Sequence, residues 1–341
     1  MKKLFIALAM LTVSGCNSNQ QGSAPADTAT KDTVKTGGNK LITIDGKYNV
    51  WTKKAGSGKI KVLLLHGGPG VPHDYLECFD DFLPKEDMEI YYYDQLGCGN
   101  SDIPADTTLW TIPRYVEEVE QVRKGLGLEQ FYVVGQSWGG LLAMEYMKKY
   151  QRHVKGAVIS NMTAGMKDFT GYLAVLKGKL FTPTERAAFD ALDKAGKYES
   201  AEYNELLMSK LYTQVVCRLP LNKWPEPLLR AFKKMNRNIY VQMQGVDEFH
   251  VTGNFKNWEF WDDLPKIKVP VLVLGAEHDE MNPESIKKEG LLIPNSRTYL
   301  CPEGSHMAMY DDQQRYFTAL VRFLKDVDEG AFTPDKKQRG N

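Results

Sequence analysis

One serine in this chain stands where a nucleophile would be expected. Gly135-Gln136-Ser137-Trp138-Gly139 follows an apolar run, residues 131–134, and precedes a helical pattern that begins at Gly140. Glycine on either side lets the backbone turn sharply from strand to helix, where a Cβ would clash, and the turn lifts the hydroxyl clear of the strand. A serine hydroxyl is a weak nucleophile at neutral pH. It needs an imidazole to take its proton and a carboxylate to fix that imidazole's tautomer. Four of the six histidines follow Ser137, at 153, 250, 278 and 306, and the candidates among them are His250, His278 and His306. His306 is preferred, because Gly304-Ser305-His306 lies between a short apolar run at 298–300 and the last helical pattern. The carboxylate should leave the C-terminal end of an earlier strand, and the run at 269–274 leads into Gly275-Ala276-Glu277-His278-Asp279-Glu280. Asp279 is the first choice there, with Glu277 and Glu280 as rivals on the same loop. Acyl transfer also needs N–H donors for the developing oxyanion. His66-Gly67-Gly68-Pro69-Gly70, directly after an apolar run, supplies backbone amides that can approach a substrate closely, and the amide of Trp138 would be the second donor.

These residues need a rigid frame, and the sequence carries one. Apolar runs of strand length at 61–65, 88–93, 131–134, 156–160, 269–274 and 298–300 alternate with helical patterns that include 112–126, 140–149 and 312–325. Short Val, Ile, Leu and Tyr runs joined by crossovers predict a mostly parallel central sheet with helices on both faces. With the strand–Ser–helix turn and the order Ser, acid, His, that is the α/β-hydrolase fold. From about 162 to 253 the alternation stops and short helical patterns follow one another, which predicts an inserted helical cap between two parts of the core, 39–161 and 254–328. One cap helix opens on a capping box, with Thr182 as N-cap, Pro183 first in the helix and Glu185 three residues after the cap. Others are expected over 201–211 and 227–235, and a polar tail over 329–341.

Composition sets limits. A chain of 341 residues with 43% hydrophobic content can bury a large core. Lys plus Arg equals Asp plus Glu at 43 each, so no basic face points to nucleic acid. No metal or organic cofactor is implied. Cys78, Cys98, Cys217 and Cys301 show neither paired spacing nor a metal-ligand pattern, and buried thiols are expected. At the N-terminus, Lys2 and Lys3 precede a ten-residue apolar run at 4–13 that closes with Ser14-Gly15-Cys16. Ten residues are too few to span a bilayer, and Val-Ser-Gly-Cys resembles a bacterial lipoprotein cleavage site. The expectation is an exported lipoprotein, lipidated at Cys16, anchored to a membrane and facing the periplasm; a plain secretory signal is the alternative. Residues 17–38 are polar and small, a flexible tether with a reach of roughly 25 Å.

The motifs His66-Gly67-Gly68-Pro69-Gly70, Asp94-Gln95-Leu96-Gly97-Cys98-Gly99-Asn100-Ser101 and Gly135-Gln136-Ser137-Trp138-Gly139-Gly140 together resemble those of the prolyl aminopeptidase (proline iminopeptidase) family of serine peptidases, over roughly residues 41–325. The resemblance implies Ser137, Asp279 and His306 as catalytic triad, and the amides of Gly68 and Trp138 as oxyanion hole. It also implies that Glu248 and Glu280 hold the substrate's free α-amino group. Two carboxylates facing one pocket repel each other and are relieved by a bound ammonium, which an N-blocked peptide lacks. The expected substrates are short peptides with a free N-terminus, preferably beginning with proline. Trp138, Phe249 and Trp258 are possible contributors to an apolar wall for the ring.

Fold and triad alone do not set the substrate, so an esterase, lactonase or amidase is the nearest rival. A non-catalytic lipoprotein that binds peptides in the cap pocket is the rival of another class. Dehalogenases and epoxide hydrolases carry an aspartate where Ser137 stands.

Overall fold

The structure, a computed structural model, describes residues 38–335. The signal at 1–16 with Cys16, the tether up to residue 37 and the tail beyond 335 lie outside the described residues.

Among the described residues eight strands form one sheet: β1 (Asn39–Ile44), β2 (Tyr48–Ala55), β3 (Ile60–Leu65), β4 (Met88–Tyr93), β5 (Phe131–Gln136), β6 (Val154–Ser160), β7 (Val271–Ala276) and β8 (Ser296–Cys301). Their order is β1-β2-β4-β3-β5-β6-β7-β8. β1 pairs antiparallel with β2, and β2 with β4; every other pair is parallel. In β4, β5 and β7 every residue is buried, as the unbroken apolar runs require of strands covered on both faces. β1 and β2, which the sequence reading did not include, mix buried with exposed or half-buried positions and carry lysines, so they lack that signal.

Helix α1 (Ile112–Leu126) precedes β5, and α2 (Trp138–Tyr150) follows it. Between β6 and β7 come α3 (Met166–Leu180), α4 (Pro183–Lys194), α5 (Ala201–Leu206), α6 (Glu226–Lys233) and α7 (Arg237–Met243). α8 (Pro283–Leu292), α9 (Ala308–Asp311) and α10 (Gln313–Asp328) are the remaining α-helices among the described residues. The capping box of α4 is formed: the Glu185 amide donates to Thr182 Oγ1 at 3.3 Å, and the Thr182 amide to Glu185 Oε2 at 2.9 Å. The helix expected over 201–211 instead widens after α5 into a π-helical stretch, Leu207–Val216, a form that recurs at functional sites.

α6 is tied to the 3₁₀ segment His73–Asp81 beyond β3. Arg230 pairs with Asp74 at 2.5 Å and with Glu77, and Lys234 reaches Asp74 at 2.7 Å. The start of the expected polar tail is anchored rather than loose. The Asp335 amide donates to Ser296 O at 2.9 Å, and the Thr298 amide to Asp335 Oδ2 at 2.7 Å, so this segment lies along the outer edge of β8. All four described cysteines are buried and unbridged.

Candidate active site

Ser137 sits between β5 and α2 with φ 55° and ψ −128°, a strained conformation for a residue with a side chain. The close approach that imposes it is visible at its flanking glycines. A Cβ on Gly135 would lie 2.0 Å from the Gly139 carbonyl oxygen, and one on Gly139 would lie 2.0 Å from that of Leu65. Gln136 locks the turn to two neighbours: its Oε1 accepts from the Tyr75 hydroxyl at 2.7 Å, and its Nε2 donates to the His306 carbonyl at 3.1 Å. The Tyr75 hydroxyl in turn accepts from the Gly67 amide at 2.6 Å. One chain of hydrogen bonds therefore joins the glycine loop, the serine turn and the histidine loop.

The loop after β7 delivers two carboxylates to His306. Asp279 Oδ1 lies 2.9 Å from His306 Nδ1 and accepts from the Met281 amide at 3.1 Å, while its Oδ2 accepts from Asn161 Nδ2 at 2.7 Å. Asn161, at the end of β6 with φ 50°, also donates to the Ser305 carbonyl at 3.2 Å. Glu280 Oε1 lies 3.5 Å from the other ring nitrogen, Nε2. Glu277 and His278, rivals from sequence, point to solvent. His250 is held away in the inserted segment, 2.8 Å from Asp247 and 3.0 Å from Asp193. The backbone of His306 is itself gripped by that segment: its amide donates to Val215 O at 2.9 Å, and the Met307 amide to Val216 O at 2.8 Å.

Gly68 has φ 114°, open to glycine and strained for other residues. The Gly67 amide is spent on Tyr75, whereas Gly68 lines the pocket together with Ser137. Trp138 opens α2, where first-turn amides have no intrahelical acceptor and the helix dipole favours negative charge. Gln95 joins the two: its amide donates to His66 Nε2 at 2.9 Å, its Nε2 to His66 O at 2.9 Å, and its Oε1 accepts from the Trp138 indole at 2.8 Å. Asp94 accepts from the Asn100 amide at 2.9 Å and the His73 amide at 3.0 Å. The Asp-Gln motif is thus a brace for the glycine loop and the segments around it.

A narrow pocket beside the serine is lined by Gly68, Ser137, Trp138, Leu141, Met162, Met166, Phe169, Gln244, Glu248, Phe255 and Met281. Of the aromatic residues considered from sequence, Trp138 lines it, stacked 5.7 Å from Phe255, a residue that sequence reading did not single out. Phe249 packs towards Tyr212, and the Trp258 indole donates to Glu145. Neither lines the pocket.

Asp279, Glu280 and His306 are buried. Neither carboxyl oxygen of Glu280 has a hydrogen-bond partner among the described residues. Burial pushes its carboxyl well above 4.5, His306 opposes that, and the charges of Glu248 and Asp279 add to it. Glu248 is raised as well, by burial first, against the pull of the Tyr240 hydroxyl and of His306. Burial works against a proton on His306, but Glu280, Asp279 and Glu248 outweigh it and hold the imidazole at about 10.

A family model described as the alpha/beta hydrolase fold matches residues 61–313. The proline iminopeptidase of Chitinophaga pinensis is 44% identical over 294 residues, covering 85% of this chain and 98% of that protein. The crystal structure of VinJ superposes with a TM-score of 0.81 at 30% identity, covering 86% of this chain and 100% of that one. That of the proline iminopeptidase of Mycobacterium smegmatis gives 0.79 at 28%, covering 86% and 99%. The frame is that of an α/β hydrolase. Within that fold the chain belongs to the proline iminopeptidase family.

Proposed function

We propose that the protein is a serine aminopeptidase that releases an unblocked N-terminal residue, preferably proline, from short peptides. Ser137 Oγ attacks the carbonyl carbon of the first residue while His306 Nε2 takes its proton, and Asp279 holds the ring by Nδ1. The amides of Gly68 and Trp138 donate to the oxyanion. As the C–N bond breaks, His306 returns the proton to the leaving amine. Water then attacks the acyl-Ser137 ester and frees the amino acid. The observation that carries the free-amine reading is Glu280, a buried carboxyl with no hydrogen bond to either oxygen, 3.5 Å from the base and near a second carboxyl, Glu248. A buried charge of this kind calls for a cationic donor, and a substrate ammonium is one. The apolar lining suits a proline ring.

The test compares kcat/KM on a proline amide with a fluorescent leaving group, the same compound acetylated on nitrogen, and the alanine analogue. Loss on acetylation is expected, and the alanine ratio measures the strictness for proline. Equal rates with and without acetylation would overturn the aminopeptidase reading while leaving the serine chemistry intact.

The signal ending at Cys16 supports a second proposal, that the mature protein is a bacterial lipoprotein held to a membrane by a lipid on Cys16 and facing the periplasm. Mass spectrometry of the mature N-terminus decides it; an unmodified Cys16 or cleavage elsewhere would refute it.

A further inference from the structure

We infer that Glu280 pairs with Nε2 of His306 in the free enzyme and that the substrate's N-terminal ammonium draws it away, so that the substrate releases its own general base. The inference rests on the amine-binding reading of Glu248 and Glu280 and extends it from affinity to chemistry.

The geometry places the imidazole between two carboxylates, Asp279 at 2.9 Å from Nδ1 and Glu280 at 3.5 Å from Nε2. Nε2 is the nitrogen that must accept the Ser137 proton. The other groups around it do not compensate Glu280. Glu248 and Asp247 come from the loop after α7, and Asp247 is committed to His250 at 2.8 Å and to Tyr203 at 2.5 Å. Tyr212, from the π-helical stretch, and Tyr240, from α7, face the glutamates as neutral phenols. His306 is the cation that pulls on both Glu248 and Glu280.

An imidazole so placed keeps its proton at neutral pH, consistent with the raised value given above, and an imidazolium has no lone pair with which to take a proton from serine. An ammonium bound between Glu248 and Glu280 replaces His306 as their counter-ion. The imidazolium then loses its support on the Nε2 side and gives its proton to solvent, and the neutral ring accepts the proton of Ser137. A peptide blocked at its N-terminus brings no such charge. It meets a protonated base even when it binds, so discrimination appears in kcat and not only in KM.

The experiment uses the full chain and its Glu280→Gln variant, with rates per active site set by fluorophosphonate titration so that misfolded protein is not counted. Two substrates are compared, a prolyl arylamide and p-nitrophenyl acetate, which carries no ammonium. Glu280→Gln is expected to lower kcat/KM on the prolyl compound at least tenfold and to raise it on the acetate at pH 7. The acid limb of the acetate profile should move down by a unit or more, each unit being about a tenfold gain in neutral imidazole. In the unsubstituted enzyme, the acid limb for acetate should lie above that of kcat for the prolyl substrate. Loss on the prolyl compound with the acetate rate and limb unchanged would leave Glu280 as an amine ligand and overturn the release of the base. Parallel loss on both substrates would overturn it too, since freeing His306 cannot slow a neutral ester. No change on either substrate would remove Glu280 from amine binding, and the inference with it.

Discussion

Glu289 lies on α8 with its side chain fully buried and neither carboxyl oxygen hydrogen-bonded. Burial is the main cause that holds its carboxyl well above its ordinary 4.5; the Asp168 charge adds to it, and the Ala164 amide and Thr163 hydroxyl oppose it. Because the folded-state value is raised, the unfolded chain gives up this proton first as pH rises. The contribution to stability is therefore full below pH 4.5 and is lost as pH climbs towards the folded-state value. Each pH unit in that interval costs about 1.4 kcal/mol. Glutamine mimics the protonated acid and cannot ionise. Glu289→Gln should thus leave stability nearly unchanged at pH 4.5 and stabilise progressively above it, by about 1.4 kcal/mol for each pH unit inside the interval, read from urea denaturation midpoints at each pH. A difference that does not change with pH, or a variant no more stable than the parent at pH 7, would refute the reasoning.

Ser137→Ala should cut prolyl arylamide turnover by about 10⁴-fold or more with an unchanged melting transition, and retained activity would remove Ser137 from the chemistry. Asp279→Asn, which favours the wrong tautomer of His306, should lower kcat by about 10⁴-fold with little change in fold, and a loss under tenfold would argue that another group orients the ring. His250→Ala breaks the link between Asp193 and Asp247 beside Glu248, so KM for free-amine substrates should rise severalfold while the rate on p-nitrophenyl acetate holds; equal effects on both would refute a positioning role. Burial works against the charge on His250, but Asp247 and Asp193 outweigh it and raise its value above 6.5. The stability it provides is full below pH 6.5 and is lost as pH rises through that raised value, so the destabilisation by His250→Ala should shrink over the same interval.

The parallel half of the sheet was legible because burial on both faces leaves unbroken apolar runs. The expected run at 88–93 coincides with β4, and the pattern at 112–126 with α1. Boundaries slipped where small residues continue a strand: β7 runs on through Gly275 and Ala276, two residues past the apolar run. β1 and β2 were missed because partly exposed strands with lysines do not read as core. At the site, glycine spacing marks Ser137, and Asp279 stood out among its neighbours by position; what separates it from Glu277 is burial, which sequence does not display. Gln136, Tyr75, Asn161 and Gln95 act through partners that in several cases lie scores of residues away, as with Gln136 and His306, so no local pattern announces them. Phe255 was passed over because an aromatic residue in a pocket wall has the same signature as one in a core.

The grip of the Val215 and Val216 carbonyls on the His306 and Met307 amides bears on how such an enzyme could be rebuilt. The inserted helices are not an interchangeable attachment laid over a finished machine, since part of the scaffolding of the His306 loop belongs to them. A chimera that imports another protein's insertion to change substrate range would have to bring equivalent acceptors to the same two amides, or it would loosen the His306 loop along with losing its old specificity. The same coupling makes those two amides reporters: their hydrogen exchange should track every opening of the insertion that disengages the histidine loop.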